Sequence, residues 1–415
     1  MKGENGKMKS DLEQTEIEAP YELPEGWKWV QQNEVCKLTD GEKRTGTEFP
    51  YLEVKYLRGK KEKDFVSIGK FIKAGTKVIL VDGENSGEVF TVPEDGFMGS
   101  TFKSLEISNV NENYLQYFIH TKKDLYRNNK KGSAIPHLDK KLFFSMPFPL
   151  PPTLAEQQRI VNRIESMFAK LDEAKERAQN VVDGFETRKA AILHKAFTGE
   201  LTAKWRKENG VSDDSWIEKK LQDVCIKEIT DGTHKTPTYV DEKTGIPFIS
   251  GKDVSNEIID WSDLRYIPKV LHEELYARLA PQIDDILLSK NGARLGKAAI
   301  VETNMIFDIY VTLALLRPNK KIIFPKYLWR VINSPSIQSQ IQNHLTGIGM
   351  PNLHLRDIKA LSMFLPTLPE QVEIVRILDI IIEKENKAKQ AAEAVLEQID
   401  LLKKSILARA FRGEL

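Results

Sequence analysis

Basic side chains occur in three local groups, at 58–63, 120–141 and 290–297. These are the residues whose types and spacing best fit a chemical task. Lys and Arg bind phosphates, whereas Asn and Arg can read base edges in a DNA groove. The third group stands on a glycine-containing turn, Lys290 to Lys297, which lets the backbone approach a ligand closely. The groups predict local contacts to DNA, with a solvated turn as the alternative for each. The candidate residues in and around them are Arg58, Lys60, Lys61, Lys63, Lys130, Lys131, Ser133, His137, Lys252, Lys290, Asn291, Arg294, Asn352 and His354.

Motifs for catalysis are weaker. Gly245 and Gly251 are separated by one residue too many for a nucleotide-binding P-loop, and Asp253 follows where Ser or Thr is needed. Pro151-Pro152 lacks the flanking residues of an adenine methyltransferase motif, and the seven histidines show no metal-ligand spacing. Glu53-Val54-Lys55 has the acid-x-Lys form of some nucleases, but a salt-linked strand position explains it as well. We predict no catalytic residue and no metal site.

One stretch of the chain occurs twice. Residues 152–201 and 366–415 align without a gap at an offset of 214, and 20 of 50 positions are identical. Both copies begin with Pro-Thr-Leu, followed two residues later by Glu-Gln, and both end in Gly-Glu-Leu. Such an internal repeat indicates that the chain is built from two copies of one structural unit.

Each copy predicts one long helix. Thr153 and Thr367 are placed to cap the first turn, with Glu156 and Glu370 at the reciprocal position of a capping box. Apolar residues then recur every three or four positions, so that two rods of roughly 65 Å could bury their seams by packing antiparallel on each other. Two separate amphipathic helices are the alternative. The predicted seam residues are Ile160, Ile164, Met167, Leu171, Val181, Phe185, Ile374, Leu378, Ile381, Val395, Ile399, Leu402 and Ile406.

A globular segment precedes each rod. Trp27 and Trp216 each lie eight residues before a Val-Cys pair, and the turn from Gly132 to Leu138 has its counterpart from Gly347 to Leu353. Short β-rich runs, among them Lys77 to Val81 and Phe102 to Ile107, and a few helices predict two α/β domains with mixed, twisted sheets. The predicted boundaries are a disordered leader at 1–20, a first domain at 21–150, a long helix at 151–201, a linker at 202–215, a second domain at 216–365 and a second long helix at 366–415.

Composition gives broad limits. The net charge is +1 with 29% charged residues, so that any nucleic-acid contact must be local. Cys36 and Cys225 occupy matching positions and are predicted to be buried thiols of a reducing compartment. Since no apolar run approaches 18 residues, we predict a soluble, cytoplasmic protein.

The duplicated plan resembles a known family. The opening Leu23-Pro24-Glu25-Gly26-Trp27, the entry Pro149 to Gln157 and the repeated rods are similar to those of type I restriction-modification specificity subunits. The likeness extends from Tyr21 to the end of the chain. The second domain departs at Ser212 to Trp216, which retains the Trp without the Pro-Glu-Gly.

This resemblance implies a non-catalytic subunit with two target recognition domains, each reading one half of an asymmetric bipartite DNA site. The paired helices would set the spacer and dock two methyltransferase subunits, which bind S-adenosylmethionine and methylate adenine at N6. Motor-nuclease subunits of the full complex would use ATP and Mg²⁺, and this chain would bind no cofactor. The alternatives are a self-contained nuclease or methyltransferase, and a coiled-coil adaptor without DNA contact.

Overall fold

The computed structural model describes residues 19–131, 136–255, 257–345 and 351–415. Most of the predicted leader, and Ser133, lie outside these ranges. The helices are α1 (Gln32–Val35), α2 (Val54–Leu57), α3 (Glu112–Thr121), α4 (Lys123–Asn128), α5 (Lys140–Phe144), α6 (Leu154–Asp183), α7 (Phe185–Phe197), α8 (Ala203–Asn209), α9 (Lys269–Arg278), α10 (Pro325–Ile332), α11 (Pro335–His344), α12 (Leu355–Ala360) and α13 (Leu368–Phe411).

The strands lie between these helices along the chain, in several places as runs of successive strands. They are β1 (Lys28–Gln31), β2 (Cys36–Thr39), β3 (Glu42–Leu52), β4 (Phe65–Ile72), β5 (Lys77–Leu80), β6 (Val89–Thr91), β7 (Gly96–Met98), β8 (Phe102–Ile107), β9 (Pro147–Leu150), β10 (Ile217–Lys220), β11 (Thr230–Asp231), β12 (Gly245–Ile249), β13 (Val254–Ser255), β14 (Ile258–Ile259), β15 (Arg265–Pro268), β16 (Ile286–Ser289), β17 (Ala298–Ile300), β18 (Asp308–Ile309), β19 (Leu313–Leu316) and β20 (Ser362–Leu365).

The chain forms two compact units. The first comprises Met1–Gln179 and Ala394–Leu415, and the second comprises Asn180–Glu393. Each unit therefore contains one globular segment together with parts of α6 or α7 and of α13. The mixed composition of helices and sheets predicted from the sequence is confirmed.

In the first unit, a four-stranded antiparallel sheet has the order β2-β8-β5-β6. Strands β3, β4 and β7 close into a small barrel in which β3 and β7 are parallel. A separate antiparallel pair, β1 with β9, joins the two ends of the globular segment. The predicted strands 77–81 and 102–107 correspond to β5 and β8.

The second unit has the same plan. Its four-stranded antiparallel sheet has the order β11-β19-β16-β17, and a second sheet has the order β15-β12-β18 with β12 and β18 parallel. The pair β10 with β20 joins the ends of this segment, as β1 and β9 do in the first unit. In each unit the core lies between the four-stranded sheet, its neighbouring helices and the adjacent turns of the long helices.

The long helices begin where the sequence predicts. Thr153 Oγ1 accepts a hydrogen bond from the Glu156 amide at 3.1 Å, which confirms this cap. The cap predicted at Thr367 is wrong, because its hydroxyl is buried and makes no hydrogen bond within the described part of the chain. The second helix, α13, runs unbroken for 44 residues.

The first helix is assigned in two segments that meet at Gly184. The hydrogen-bond ladder continues there, since the Gly184 amide donates to the Asn180 carbonyl and the Gly184 carbonyl accepts from the Arg188 amide, both at 3.0 Å. The predicted end at Leu201 is four residues too late. The helix ends at Phe197, because Gly199 adopts a left-handed φ of +83° and starts a turn.

Most predicted seam residues are buried or half-buried. Val395 and Leu402 are wrong, since they are 40% and 48% exposed. Next to Leu402, the Lys403 ammonium lies 5.0 Å from the centroid of the Phe168 ring, and further along the same helix the Lys389 ammonium lies 4.8 Å from that of Phe185. Lysine stems can cover apolar surface while their charged ends contact aromatic faces, so that the seam passes through residues that hydropathy alone rejects.

The repeated glutamine of the entry motif holds each helix to its own globular segment. Gln157 accepts a hydrogen bond from the Asn111 amide, which precedes α3, and Gln371 accepts one from the Phe324 amide, which precedes α10, both at 2.7 Å. Each glutamine also donates to a carbonyl of its own helix entry, that of Pro151 or Pro366. The two side chains are buried, and they satisfy backbone groups that would otherwise lack partners.

The predicted linker, 202–215, contains α8 and two buried polar residues. Arg206 Nη1 donates to Glu370 Oε1 at 2.7 Å, and the Thr202 hydroxyl donates to the same oxygen at 2.6 Å. Trp216 Nε1 donates to Glu370 Oε2 at 3.2 Å. The segment is therefore part of the second unit's fold.

Within the described residues, no helix is both long and apolar enough to cross a membrane.

The corrected seam can be tested with one matched pair of variants. Ile399 is 2% exposed, so that Ile399→Asp buries a carboxylate without a partner and is expected to cost roughly 3 kcal/mol or more. Leu402→Asp, in the same helix but at an exposed position, is expected to stay within about 1 kcal/mol of the parent. Urea unfolding measures both values, and equal losses would contradict this assignment of faces.

Candidate nucleic-acid interface

A cleft in the second unit brings together three of the predicted residues, Lys252, Asn291 and Arg294. Lys252 stands on a short 3-10 helix after β12, and the other two stand on the loop between β16 and β17. Arg265 of β15 and Tyr310, which follows β18, also line this cleft. The two sheets of the unit thus converge on one cationic and aromatic surface.

Backbone hydrogen bonds fix the loop at 291–297, which we call the second-unit loop. The Gly296 amide donates to the Ser289 carbonyl at 2.9 Å, and the Leu295 amide donates to the Gly292 carbonyl at 3.2 Å. Gly292 and Gly296 have φ values of +76° and +83°, which side-chain-bearing residues rarely adopt. These constraints leave Ala293 and Arg294 at the apex of a tight turn.

Two arginines at this cleft lack carboxylate partners within 4 Å in the described part of the chain. Arg265 donates from Nη1 to the Tyr239 hydroxyl at 3.0 Å, and its guanidinium lies 4.7 Å from the centroid of that ring. This hydrogen bond raises the pKa of Arg265 above its usual value. Arg294 has a buried Nη1 without a hydrogen-bond partner among the described residues. Neither guanidinium is neutralised by a carboxylate at contact distance in the described residues, so that both can attract an anionic ligand.

Lys290 does not belong to this surface, and its predicted role in DNA contact is wrong. Its side chain is 9% exposed, and its ammonium forms an ion pair with Asp231, which is buried as well. A buried carboxylate needs a cation to offset desolvation, which explains the inward orientation. Lys252 is more exposed and pairs with Asp263 at 3.3 Å.

The first unit has a matching loop at 82–88, which we call the first-unit loop, with several predicted residues around it. Lys130 pairs with Glu84 at 2.6 Å, and His137 Nδ1 lies 2.6 Å from Asp82 Oδ1. Lys131 remains largely exposed beside Asp139, whose pKa its hydrogen bond lowers. Here the cations neutralise an acidic loop instead of forming a free basic patch.

The cluster around Arg58 is also largely paired. Arg58 bonds to Glu88, and Lys63 bonds to Glu94 at 2.9 Å. Lys61 bridges Glu53, at 2.7 Å, and Asp64, and these bonds raise its pKa. The acid of the nuclease-like triplet is therefore in a salt link, as expected for a structural residue. Lys60 is exposed.

Of the last two candidates, Asn352 is linked to the second-unit loop and His354 follows it two residues later. Asn352 is exposed and forms an isolated β-bridge with Asn291, while the Leu353 amide donates to the Lys290 carbonyl at 2.7 Å. His354 is exposed at the start of α12. Asn352 is thus placed beside the cleft through its backbone.

Sequence reasoning missed Arg265, Tyr239 and Tyr310. No spacing links residues from three separate strands or loops, because the sheet brings them together only after folding. One available signal was the alternation of Arg265-Tyr266-Ile267, which fits a strand with one face outward. Within the described residues, no group of three or more His, Cys, Asp or Glu side chains is arranged to hold a metal ion.

The family model for the type I restriction modification DNA specificity domain matches residues 24–182 and 213–398. Together these two matches span most of the chain. The chain belongs to this family. The resemblance noted from the duplicated entry motif and the opening Trp27 segment is thereby confirmed.

Relatives match over nearly the full length. The EcoBI type I restriction enzyme specificity subunit of Escherichia coli is 24% identical, with 99% of this chain and 90% of the relative covered. The MjaVIII specificity subunit of Methanocaldococcus jannaschii is 25% identical, with 95% and 94% covered.

Solved structures share the fold. The HsdS subunit from Thermoanaerobacter tengcongensis has a TM-score of 0.65 at 21% identity, with 96% of this chain and 100% of that chain covered. A chain from a study of complex assembly and conformational transition of the type I R-M system has a TM-score of 0.69 at 21% identity, with 95% and 100% covered.

The structural role of Lys290 predicts a loss of stability on its removal. Lys290→Ala leaves Asp231 buried without its cation and is expected to cost about 3–5 kcal/mol. Lys297→Ala, on the same loop but exposed, is expected to leave the free energy of unfolding within about 0.5 kcal/mol of the parent. Denaturant unfolding monitored by tryptophan fluorescence gives both values. A stable Lys290→Ala protein would return this lysine to the surface candidates.

Proposed function

We propose that this chain is the DNA specificity subunit of a type I restriction-modification complex and performs no catalysis itself. Each unit supplies one target recognition domain, and the two domains read different halves of an asymmetric bipartite site. The observation that carries the proposal is the repeated plan. The family model matches twice, and each match contains a loop built on the same backbone but with different side chains.

The second-unit cleft suits DNA in its chemistry. Arg265 and Arg294 carry guanidinium groups, which can bind phosphate oxygens or the acceptor edge of guanine. Tyr239 and Tyr310 add flat polar surfaces, and Asn291 adds an amide with both donor and acceptor. The combination offers contacts to the sugar-phosphate backbone and to base edges in one place.

The long helices form the spacer of the proposed subunit, paired as an antiparallel coiled coil. Contacts inside each unit support this arrangement. In the first unit Arg159 bonds to the Leu415 carbonyl at 2.7 Å and Asp172 to Lys403, and in the second Arg188 bonds to Glu385 at 2.8 Å. As the residue number rises along the first helix, that of its partner falls, which is the order of an antiparallel pair.

The partners in this proposal are double-stranded DNA, two methyltransferase subunits and the motor-nuclease subunits. The EcoBI and MjaVIII relatives are named as specificity subunits of type I restriction enzymes. By this analogy, S-adenosylmethionine would bind the methyltransferase subunits, and ATP and Mg²⁺ the motor-nuclease subunits. The specificity chain would hold none of these cofactors.

DNA recognition is tested by joining this chain with its methyltransferase subunit and mapping the methylated adenines in treated DNA. The expected result is one asymmetric bipartite motif with a fixed spacer. Lys252→Ala combined with Arg265→Ala should weaken duplex binding at low salt and reduce its salt dependence, since fewer counterions are released.

Lys227→Ala combined with Lys321→Ala serves as a charge-matched control, because both lysines are exposed in the same unit and neither lines the cleft. Its binding should equal that of the parent. If the complex methylates no defined motif, or if the double variant binds DNA as the control does, the recognition role of this cleft is wrong.

The spacer role predicts a change in site length. Duplicating one heptad in each helix, residues 173–179 and 395–401, retains the seam and adds about 10 Å of rod. That length corresponds to about three base pairs at roughly 3.4 Å each. The methylated motif should gain a longer spacer of about this size while its half-site bases stay the same.

Duplicating the heptad in one helix alone is the control, since it shifts one seam against the other and should lower the melting temperature. A motif with altered half-site bases and an unchanged spacer, from the doubly lengthened protein, would show that the helices do not set the distance.

A further inference from the structure

The first-unit loop (82–88) and the second-unit loop (291–297) are the same turn with different side chains. Both follow the central strand of a four-stranded sheet, β5 or β16, and both contain Gly-x-x-x-Gly with two positive φ values. The Gly87 amide donates to the Leu80 carbonyl as that of Gly296 donates to Ser289, at 2.7 and 2.9 Å.

The surroundings of the two loops match as well. A β-bridge links Asp82 to His137 in the first unit and Asn291 to Asn352 in the second. A methyl group added at Gly83 or Gly292 would meet no atom within 4 Å, so that the same side of each turn is open. The loops are therefore structurally equivalent position by position.

This equivalence aligns Asn85 with Arg294 at the third position after Asp82 or Asn291. Both side chains are half-buried, whereas the preceding residues, Glu84 and Ala293, are exposed. Arg294 has no carboxylate partner within 4 Å among the described residues. The Asn85 carbonyl oxygen accepts a hydrogen bond from Arg127, which holds the amide in one orientation and leaves its NH₂ group for a ligand.

We propose that Asn85 and Arg294 are the equivalent base-reading residues of the two recognition domains, with Asn85 reading adenine and Arg294 reading guanine. This inference rests on the proposed function. Arg donates two hydrogen bonds to the O6 and N7 of guanine, whereas the amide of Asn donates to N7 and accepts from N6 of adenine. The Asn85 oxygen has a second lone pair for the N6 amino group while the first is engaged by Arg127.

The charges around each loop fit this difference. In the first unit Asp82, Glu84 and Glu88 share the loop with Asn85, where Asp82 contacts His137 and the two glutamates are paired with Lys130 and Arg58. Asn85, a neutral side chain, therefore lies among acidic side chains that already have partners. The second-unit loop has Asn291, Ala293 and Lys297 at those positions, and Arg294 has no carboxylate partner within 4 Å in the described part of the chain. One backbone thus presents two kinds of donor and acceptor pattern to two half-sites.

The exchange of the two side chains tests the proposal. Arg294→Asn and Asn85→Arg are made separately, each is assembled with the methyltransferase subunit, and the methylated motif is sequenced. In the Arg294→Asn complex, one guanine of one half-site should be replaced by adenine. In the Asn85→Arg complex, one adenine of the other half-site should be replaced by guanine. Competition binding should show a change of about 5- to 150-fold in preference at that single position.

Two further variants separate base reading from other roles. Arg294→Lys keeps the charge but loses the two-pronged donor geometry, so that the guanine preference should fall while methylation continues. Lys297→Asn, exposed on the same loop, should leave the motif unchanged. The proposal is overturned if the exchanged proteins methylate the parental motif, or if affinity falls equally for every sequence, as for a phosphate contact.

It is also overturned if Arg294→Asn methylates nothing and Arg294→Lys retains the guanine. These outcomes differ from a failure of the proposed function, in which the parent complex itself would yield no bipartite motif.

Discussion

A fully buried carboxylate, that of Glu370, fixes the geometry of the second unit. Burial of an unpaired charge is strongly unfavourable, so that this position requires donors from several directions at once. Thr202, Arg206 and Trp216 supply them, and Arg206 also bonds to the Gly199 carbonyl at 2.9 Å. The end of α7, the segment that follows it and the start of the second globular segment are therefore all anchored to the first turn of α13.

The equivalent residue in the first unit, Glu156, does not anchor a distant stretch of chain. Glu156 pairs with Arg159 three residues later, which lowers its pKa, and Arg159 reaches the Leu415 carbonyl. The two copies of the entry motif thus share the glutamine that holds each helix to its own globular segment but differ in the electrostatic task of the glutamate. In the second copy the surroundings supply donors from another stretch of chain, whereas in the first the partner is local.

The sequence was sufficient for features that depend on local pattern. The strand at 102–107 and the cap at Thr153 follow from β-propensity and from helix-start signals, and structure and sequence agree on them. The sequence was insufficient where the position of a side chain depends on residues far away in the chain. The sequence predicts Lys290 as a surface cation, but in the structure it is buried in an ion pair with Asp231, 59 residues earlier. Leu402 looks like a seam residue until Lys403 lies over Phe168.

The backbone that the two units share and the side chains that it presents differ in how well they tolerate substitution. Positive-φ glycines, the glutamine contacts and the buried Glu370 constrain backbone, and substitution there costs stability whatever DNA is bound. Side chains at Asn85 and Arg294 stand on that backbone without defining it, because the turn is closed by main-chain hydrogen bonds. A protein built in this way can acquire a new half-site by altering a few side chains while the loops, sheets and long helices that position them remain as they are.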